Sequence, residues 1–412
     1  MKIAITGRGL ITPLGNGLAA NEEALLNGKT GTVFVQEWKD MNLESHVAGL
    51  ADNDPECPLI DKRVSRFTTP NGKMALAATY EALMEAQLSL EEIKGKRIAV
   101  ILGCGGSTYL HVYEGAKTLV ETGKVKRVSP FIVPKAMNSS AAANISLVLG
   151  LTGESYSVSS ACTSSAHSIM IAARLIQDGA YDIVITGGSE EANWLNALGF
   201  DAMKALARIY NDTPATASKP FDRDRAGFIL AEGAGILVLE NAEHAAKRGV
   251  KPKSYISGAM ANSNASDMVV PDSASAAQLM NDAIINAGLS LSDIGYINAH
   301  GTATPVGDPV ELKAIKELFG DQASNVAISS TKSMTGHMIG ATGAVEAIYC
   351  SQMIEKDFIA PTANLNNPEE GFAWADLVRG KARKHAGVQH ALSNSFGFGG
   401  TNGTLIISKA NT

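Results

Sequence analysis

The chain has 412 residues, 45% of them hydrophobic and 18% charged, which is more than one small core requires, and its mean hydropathy of +0.04 excludes a disordered polar polymer. A formal net charge of −6 without a strong Lys/Arg cluster argues against nucleic acid as a partner, and no apolar run approaches ~18 residues, so no membrane partner is expected. Four widely spaced cysteines, Cys57, Cys104, Cys162 and Cys350, fit neither a disulfide framework nor a CxxC metal site; with an N-terminus that lacks a signal-peptide pattern, they point to a cytoplasmic protein.

In chain order, β-rich apolar runs predict strands at Lys2–Thr6, Arg97–Leu102, Ser155–Ser159, Asp182–Thr186, Gly235–Glu240, Gly295–Ala299, Val326–Ser330 and Thr404–Ser408. Helical periodicity falls between them at Asn71–Gln87, Ser164–Asp178, Ser273–Ala287, Pro309–Phe319 and Ala341–Lys356. The alternation implies an α/β fold with covered sheets. Arg248–Pro252 is polar and turn-rich near the midpoint and divides the chain into halves 1–250 and 251–412. Spacing alone leaves an internal duplication open. The stretch Tyr109–Pro130 fits neither period and reads as a surface insertion. Lys62, Arg63 and Arg66, and Lys124, Lys126 and Arg127, form small basic patches, which are either solvated faces or docking points for an acidic carrier.

Three segments carry chemistry. In Ser155–Ser168 a strand ends near Ser160 and a helix with apolar residues Ala166, Ile169, Met170, Ala173 and Ile176 follows, so Cys162 sits on an elbow at a helix start. There, free N–H groups and the helix dipole favour a thiolate, although the elbow alone suits a small buried cysteine equally well. The second segment, Ile297–Glu311, delivers His300 to the carboxyl end of a strand, with Thr302 and Thr304 beyond it. Asp308, Pro309 and Glu311 read there as N-cap, first helical residue and capping-box acid. The third, Val326–Glu346, brings Lys332 and His337 from another strand end. Two such histidines beside an elbow cysteine supply a nucleophile and donors for a developing oxyanion. The closing Ser393–Asn402 is glycine-rich, with Phe396 and Phe398 on its turn, and reads equally as a plain hairpin or a functional loop.

SSACTSSAH, NAHGTATPVGDPVE, STKSMTGHMIGATGAVE and NSFGFGGTNG, in this order, resemble the elongating β-ketoacyl-acyl carrier protein synthases over essentially the whole chain. That resemblance implies a five-layered αβαβα thiolase-like fold of two duplicated halves, normally a homodimer. It implies decarboxylative condensation of an acyl group with malonyl-acyl carrier protein in fatty-acid elongation, a polyketide or polyene pathway being the alternative with the same chemistry. Cys162 would carry the acyl thioester, while His300 and His337 would bind the malonyl thioester carbonyl. The N–H groups of Cys162 and Phe398 would form an oxyanion hole, with Phe398 as gate. Thr302 and Thr304 would contact the phosphopantetheine of the carrier, and Lys332, Glu346, Glu311, Asn394 and Phe396 would support the set. No cofactor is required; the resemblance allows a structural monovalent cation near Glu346 and Asn394. Gly105–Tyr109 and Val125–Pro130 fall where relatives shape the acyl pocket.

The chain departs from the family pattern at Ala226 and Ala231, where an acid and a glycine are usual, and both are expected to lie outside the cysteine–histidine set. The C-terminal segment has no cysteine, which separates the chain from thiolases, and the pair of histidines separates it from Cys-His-Asn starter-unit synthases. Cys162 itself separates it from non-catalytic chain-length partner subunits. Gly7-Arg8-Gly9 lacks the third glycine of a dinucleotide fingerprint.

Overall fold

The computed structural model describes residues 3–106 and 109–410; Lys2 of the first predicted strand, and Ser107 and Thr108 within Gly105–Tyr109, lie outside the described residues. Ten strands build the body: β1 (Ile3–Thr12), β2 (Ala99–Gly103), β3 (Ser155–Val158), β4 (Ile183–Glu190), β5 (Gly233–Asn241), β6 (Ser254–Ser263), β7 (Tyr296–Asn298), β8 (Ala327–Ser329), β9 (His390–Gly397) and β10 (Thr401–Lys409). Their spatial order is β3-β2-β4-β5-β1, continued through a β1–β6 pairing by β6-β10-β9-β7-β8, with the short strand Asp376–Leu377 at the far edge.

The second half repeats the first strand for strand. In each, the edge pair and its neighbour run parallel and the remaining two pairings are antiparallel. The register even slips at the same place, between Ile5 and Gly7 in β1 and between Ile256 and Gly258 in β6. Both glycines lie under a helix: a Cβ at Gly7 would sit 2.0 Å from the Ala82 carbonyl oxygen, and one at Gly258 2.5 Å from that of Ala283. The duplication left open by spacing is therefore built into the topology.

Six helices complete the layers: α1 (Pro70–Glu85), α2 (Ser140–Leu149), α3 (Ser164–Gln177), α4 (Ser273–Asn286), α5 (Gly307–Phe319) and α6 (Thr342–Lys356). α1 and α2 cover one outer face, around a core that includes Met74, Leu76, Leu83 and Ile236. α4 and α5 cover the other, around Leu279, Ile297, Leu312 and Ile406. α3 and α6 pack against each other between the two sheets, in a core of Ile169, Val184, Val345, Ile348 and Leu405. α6 is buried all round its circumference, with only its C-terminal Glu355 and Lys356 exposed.

Every predicted strand and helix is present, with ends shifted by a few residues. Three readings need correction. Tyr109–Thr122 is an α-helix with no fully buried residue; Tyr109, Val112, Tyr113, Ala116, Leu119 and Val120 recur at helical spacing, a periodicity that the reading as a structureless insertion overlooked. β6 and β9 were not anticipated as strands; β9 buries Ser393, Asn394 and Ser395, and a run of polar residues gives no period-two signal. Phe396 accordingly lies within β9, and the turn after it holds only Phe398, Gly399 and Gly400. Finally, α5 starts at Gly307 with Val306 at the cap and no side-chain cap bond, so Asp308 and Glu311 are not capping residues.

Candidate active site

The carboxyl ends of β3, β7 and β8 and the β9–β10 turn converge on one pocket. Its walls include Cys162, His300, Thr302, Thr304, His337, Phe396 and Phe398. The duplication explains the convergence, because β3 and β8 are equivalent strands that approach the central layer from opposite sides: one delivers Cys162, the other Lys332 and His337.

Cys162 precedes α3 by two residues, after Ala161, whose φ of 49° is rare outside glycine and forms the sharp elbow. The turn is braced by Ser164 Oγ, which accepts from Ser160 N (2.9 Å) and donates to the Ala161 carbonyl (2.7 Å). Thr163 Oγ1 donates to Thr401 O (2.9 Å) and ties the elbow to the β9–β10 hairpin. The sulfur is buried, and burial pushes the thiol up to about 12, overriding Lys332's charge and the N–H groups of Phe398 and Cys162, all of which favour the thiolate. Burial thus outweighs the helix start, and of the two readings the elbow left open the buried neutral thiol is the one favoured at rest. The two N–H groups expected in the oxyanion hole do bear on the sulfur.

His300 and His337 stand with ring centroids 5.4 Å apart at 88°, and His337 is also edge-on to Phe228 at 5.5 Å. Both are held neutral. Burial lowers each well below the ordinary histidine value, with the Lys332 charge next, and His337 adding to the effect on His300. His337 N donates to Ile229 O (2.8 Å) and Ala231 N donates to His337 O (2.9 Å), so the backbone around Leu230 clamps this histidine. Ala231 is thus a hydrogen-bonded neighbour of the set and not outside it. Its methyl has room because Gly49 and Gly336 face it; a Cβ on either would come within 2.8 and 3.1 Å of it. Ala226 lies apart, packed in a small cluster with Tyr210.

Glu311 spans the His300 turn, accepting from His300 N and Gly301 N (2.8 Å each) and from Asn394 Nδ2 (3.0 Å). Asp308 accepts from Ala303 N (3.1 Å) and Phe221 N (2.8 Å); burial raises its carboxyl to about 7. These acids shape the loop that presents Thr302 and Thr304, whose hydroxyls lie 3.2 Å apart. Arg225, which sequence reasoning did not single out, holds the same loop from outside: Nε donates to Thr304 O and Nη2 to Pro305 O (3.1 Å each), and Nη1 pairs with Glu369. Its fork geometry is not available to lysine. Arg225→Lys should therefore raise KM for the substrate arm that uses Thr302 and Thr304 by about tenfold with a smaller effect on kcat, checked by steady-state kinetics. An unchanged KM would separate Arg225 from the loop's geometry.

Lys332 Nζ lies 2.6 Å from Glu346 Oε1, both fully buried, and burial raises the Glu346 carboxyl to about 7 against the pull of Lys332. Glu346 Oε2 and Asn298 Oδ1 are buried without partners, and Thr331 links the two side chains. This donor set fits a monovalent cation beside Glu346. The Asn394 amide donates to Glu311 and accepts from Thr404. Phe396 packs against His300 at 5.7 Å, and Phe398, half-buried, faces Phe200 at 6.3 Å. Val125–Pro130 is largely exposed and contributes no wall to this pocket. None of the four cysteines is in a disulfide, and Cys104 donates to Glu190 Oε1 (3.5 Å). Among the described residues no helix is long and apolar enough to cross a membrane.

An elbow cysteine and two histidines that burial holds neutral, from duplicated, thiolase-like halves, meet in one pocket, the arrangement expected of a Cys-His-His condensing enzyme. The comparisons agree with that class. Residues 1–245 match the family described as beta-ketoacyl synthase, N-terminal domain, and residues 253–366 match its C-terminal domain. Over 410 residues the chain is 41% identical to 3-oxoacyl-[acyl-carrier-protein] synthase 1 of Haemophilus influenzae, covering 100% of this chain and 99% of the relative. It is 40% identical to 3-oxoacyl-[acyl-carrier-protein] synthase 2 of Vibrio cholerae over 412 residues, 99% of each. A crystal structure of a beta-ketoacyl synthase from Burkholderia phymatum superposes with a TM-score of 0.93 at 32% identity, covering both chains fully. The chain belongs to the beta-ketoacyl synthase family.

Proposed function

We propose that this chain is an acyltransferase that condenses an acyl group with malonyl-acyl carrier protein, giving β-ketoacyl-acyl carrier protein in fatty-acid elongation. The observation that carries the reading is the meeting, in one pocket, of the elbow Cys162 with two histidines held neutral. Full-length identity to synthases of both elongating types supports the substrate class.

In the first half-reaction the Cys162 sulfur bonds to the acyl carbonyl carbon as the carrier's thioester bond breaks, and the cysteine proton leaves on the carrier thiol. The N–H groups of Cys162 and Phe398 hold the oxyanion, and a neutral thioester suits this buried position better than a thiolate. In the second, malonyl thioester enters along Thr302 and Thr304, and N–H groups of His300 and His337 hold its carbonyl oxygen. The bond to the carboxylate breaks, carbon dioxide leaves, and the electron pair forms an enolate that attacks the acyl carbon. Cys162 departs as thiolate, with the Lys332 charge nearby, and takes up one proton from solvent to regenerate the thiol. Neutral imidazoles suit this step because they donate to the enolate oxygen without pairing with the carboxylate that must leave. Glu346 and Asn298 would hold a monovalent cation, whose charge would balance the carboxylate.

The half 1–250 would carry the nucleophile and 251–412 the histidines. The exposed patches Lys62, Arg63, Arg66 and Lys124, Lys126, Arg127 suit an acidic carrier protein, in the cytoplasm. A homodimer is favoured by the exposed edge strand β3 with Tyr156 and by Val120, Val125 and Val133 on the same half. The test is to mix the protein with malonyl-carrier and a ladder of acyl-carriers and weigh the products. Failure with every donor, Cys162 being intact, would favour a non-catalytic partner subunit. In the same assay His337→Ala should cut malonyl decarboxylation by about 10²–10³-fold while Cys162 still acquires an acyl group; parallel loss of both would overturn this division of labour.

A further inference from the structure

We infer that Thr342 is a positioning residue whose hydroxyl fixes which ring nitrogen of His337 carries the proton. The inference rests on the proposed condensation and extends it to a residue outside the cysteine–histidine set. Thr342 Oγ1 lies 3.0 Å from His337 Nδ1, and each residue is only 2% exposed. The other ring nitrogen, Nε2, is buried with no hydrogen-bond partner, in a residue that shares the pocket wall with Cys162 and His300. Nδ1 is committed to the protein, and Nε2 is left to do the work.

A neutral imidazole has one N–H, and its two tautomers act oppositely at Nε2. With the proton on Nε2 the ring donates to a developing oxyanion; with the proton on Nδ1 it presents a lone pair that would repel one. Three features select the first. His337 is clamped at its backbone by Ile229 and Ala231, and its ring stands edge-on to Phe228 and His300, so the ring is held against turning over. Thr342 opens α6, and the positive end of that helix disfavours an N–H at Nδ1. The threonine hydroxyl, free to rotate, then donates to the Nδ1 lone pair that this tautomer presents. It is not spent on capping: the N-cap of α6 is Ala341, and no side-chain cap bond is made.

The test compares wild type, Thr342→Val and Thr342→Ser. Valine keeps the shape and removes the hydroxyl; serine keeps the hydroxyl. The readouts are the His337 tautomer, from 15N shifts of histidine-labelled protein assigned with His337→Gln, and the rate of malonyl-carrier decarboxylation. Wild type should show the Nε2–H form. Thr342→Val should lose that preference and slow decarboxylation by about tenfold to a hundredfold, while Thr342→Ser restores both to within about threefold. A wild-type Nδ1–H form would overturn the inference. So would a valine variant with the wild-type tautomer and rate, or a loss that serine does not rescue, since that would be repacking. Absence of condensation by the wild-type protein with every acyl donor would instead refute the proposed function, and the tautomer measurement would still decide the Thr342 contact.

Discussion

Cys162→Ala should leave a folded protein that takes up no acyl group and forms no condensation product. The side chain is small and 8% exposed, and the elbow is held by Ser160, Ala161, Thr163 and Ser164 without the sulfur, so the stability change should stay near 1 kcal/mol or less. Intact-protein mass after incubation with acyl-carrier is the measurement, and continued acylation elsewhere would contradict the assignment. Cys162→Gln should separate the two half-reactions. Its neutral amide can accept the N–H groups that bear on the sulfur, as a bound acyl carbonyl would, so condensation stops while malonyl decarboxylation by His300 and His337 continues. The thiol also predicts its own pH dependence. Burial raises it to about 12, so the thiolate fraction, and with it alkylation by iodoacetamide, should climb about tenfold per pH unit through neutral and mildly alkaline pH. A plateau in that range would show that Lys332 and the two N–H groups outweigh burial.

That result marks the limit of what the sequence shows. The elbow at Cys162 was legible because a strand, small residues and an amphipathic helix follow one another, yet the balance between dipole and burial depends on Lys332 and Phe398, which are distant in sequence. His300, His337 and Lys332 were legible as strand-end residues, and the motif resemblance assigned their roles. Glu311 looked like a capping acid because its spacing from Asp308 suits one; only the folded chain shows it spanning the His300 turn. β9 escaped because its buried positions are polar and bonded within the site, as Asn394 is to Glu311. Thr342 had one available signal: a hydroxyl five residues after a strand-end histidine, at the start of a helix.

Lys332→Met should be the most destabilising single change at the site, and pairing it with Glu346→Gln should recover stability without recovering the pH profile. Lys332 and Glu346 are 1% and 2% exposed and 2.6 Å apart, so removing Glu346 strands the lysine charge and removing Lys332 leaves a buried carboxyl that must stay charged without its partner or take up a proton, at a cost of about 3–5 kcal/mol, whereas removing both charges leaves a neutral, similarly filled site. Denaturant unfolding of the two single variants and the double variant measures that coupling. Activity follows a different rule. Lys332 lies second only to burial in lowering both histidines, so its loss lets them protonate at higher pH. Burial remains, which keeps both below the ordinary histidine value. The acid limb of malonyl decarboxylation should therefore move upward in pH in the double variant, with activity lost on the acidic side and retained on the alkaline side. A refolded double variant with the wild-type profile would mean that Lys332 serves Glu346 alone; a displaced acid limb would mean that its charge keeps the two imidazoles neutral, the state in which they donate to an enolate and leave the departing carboxylate unpaired.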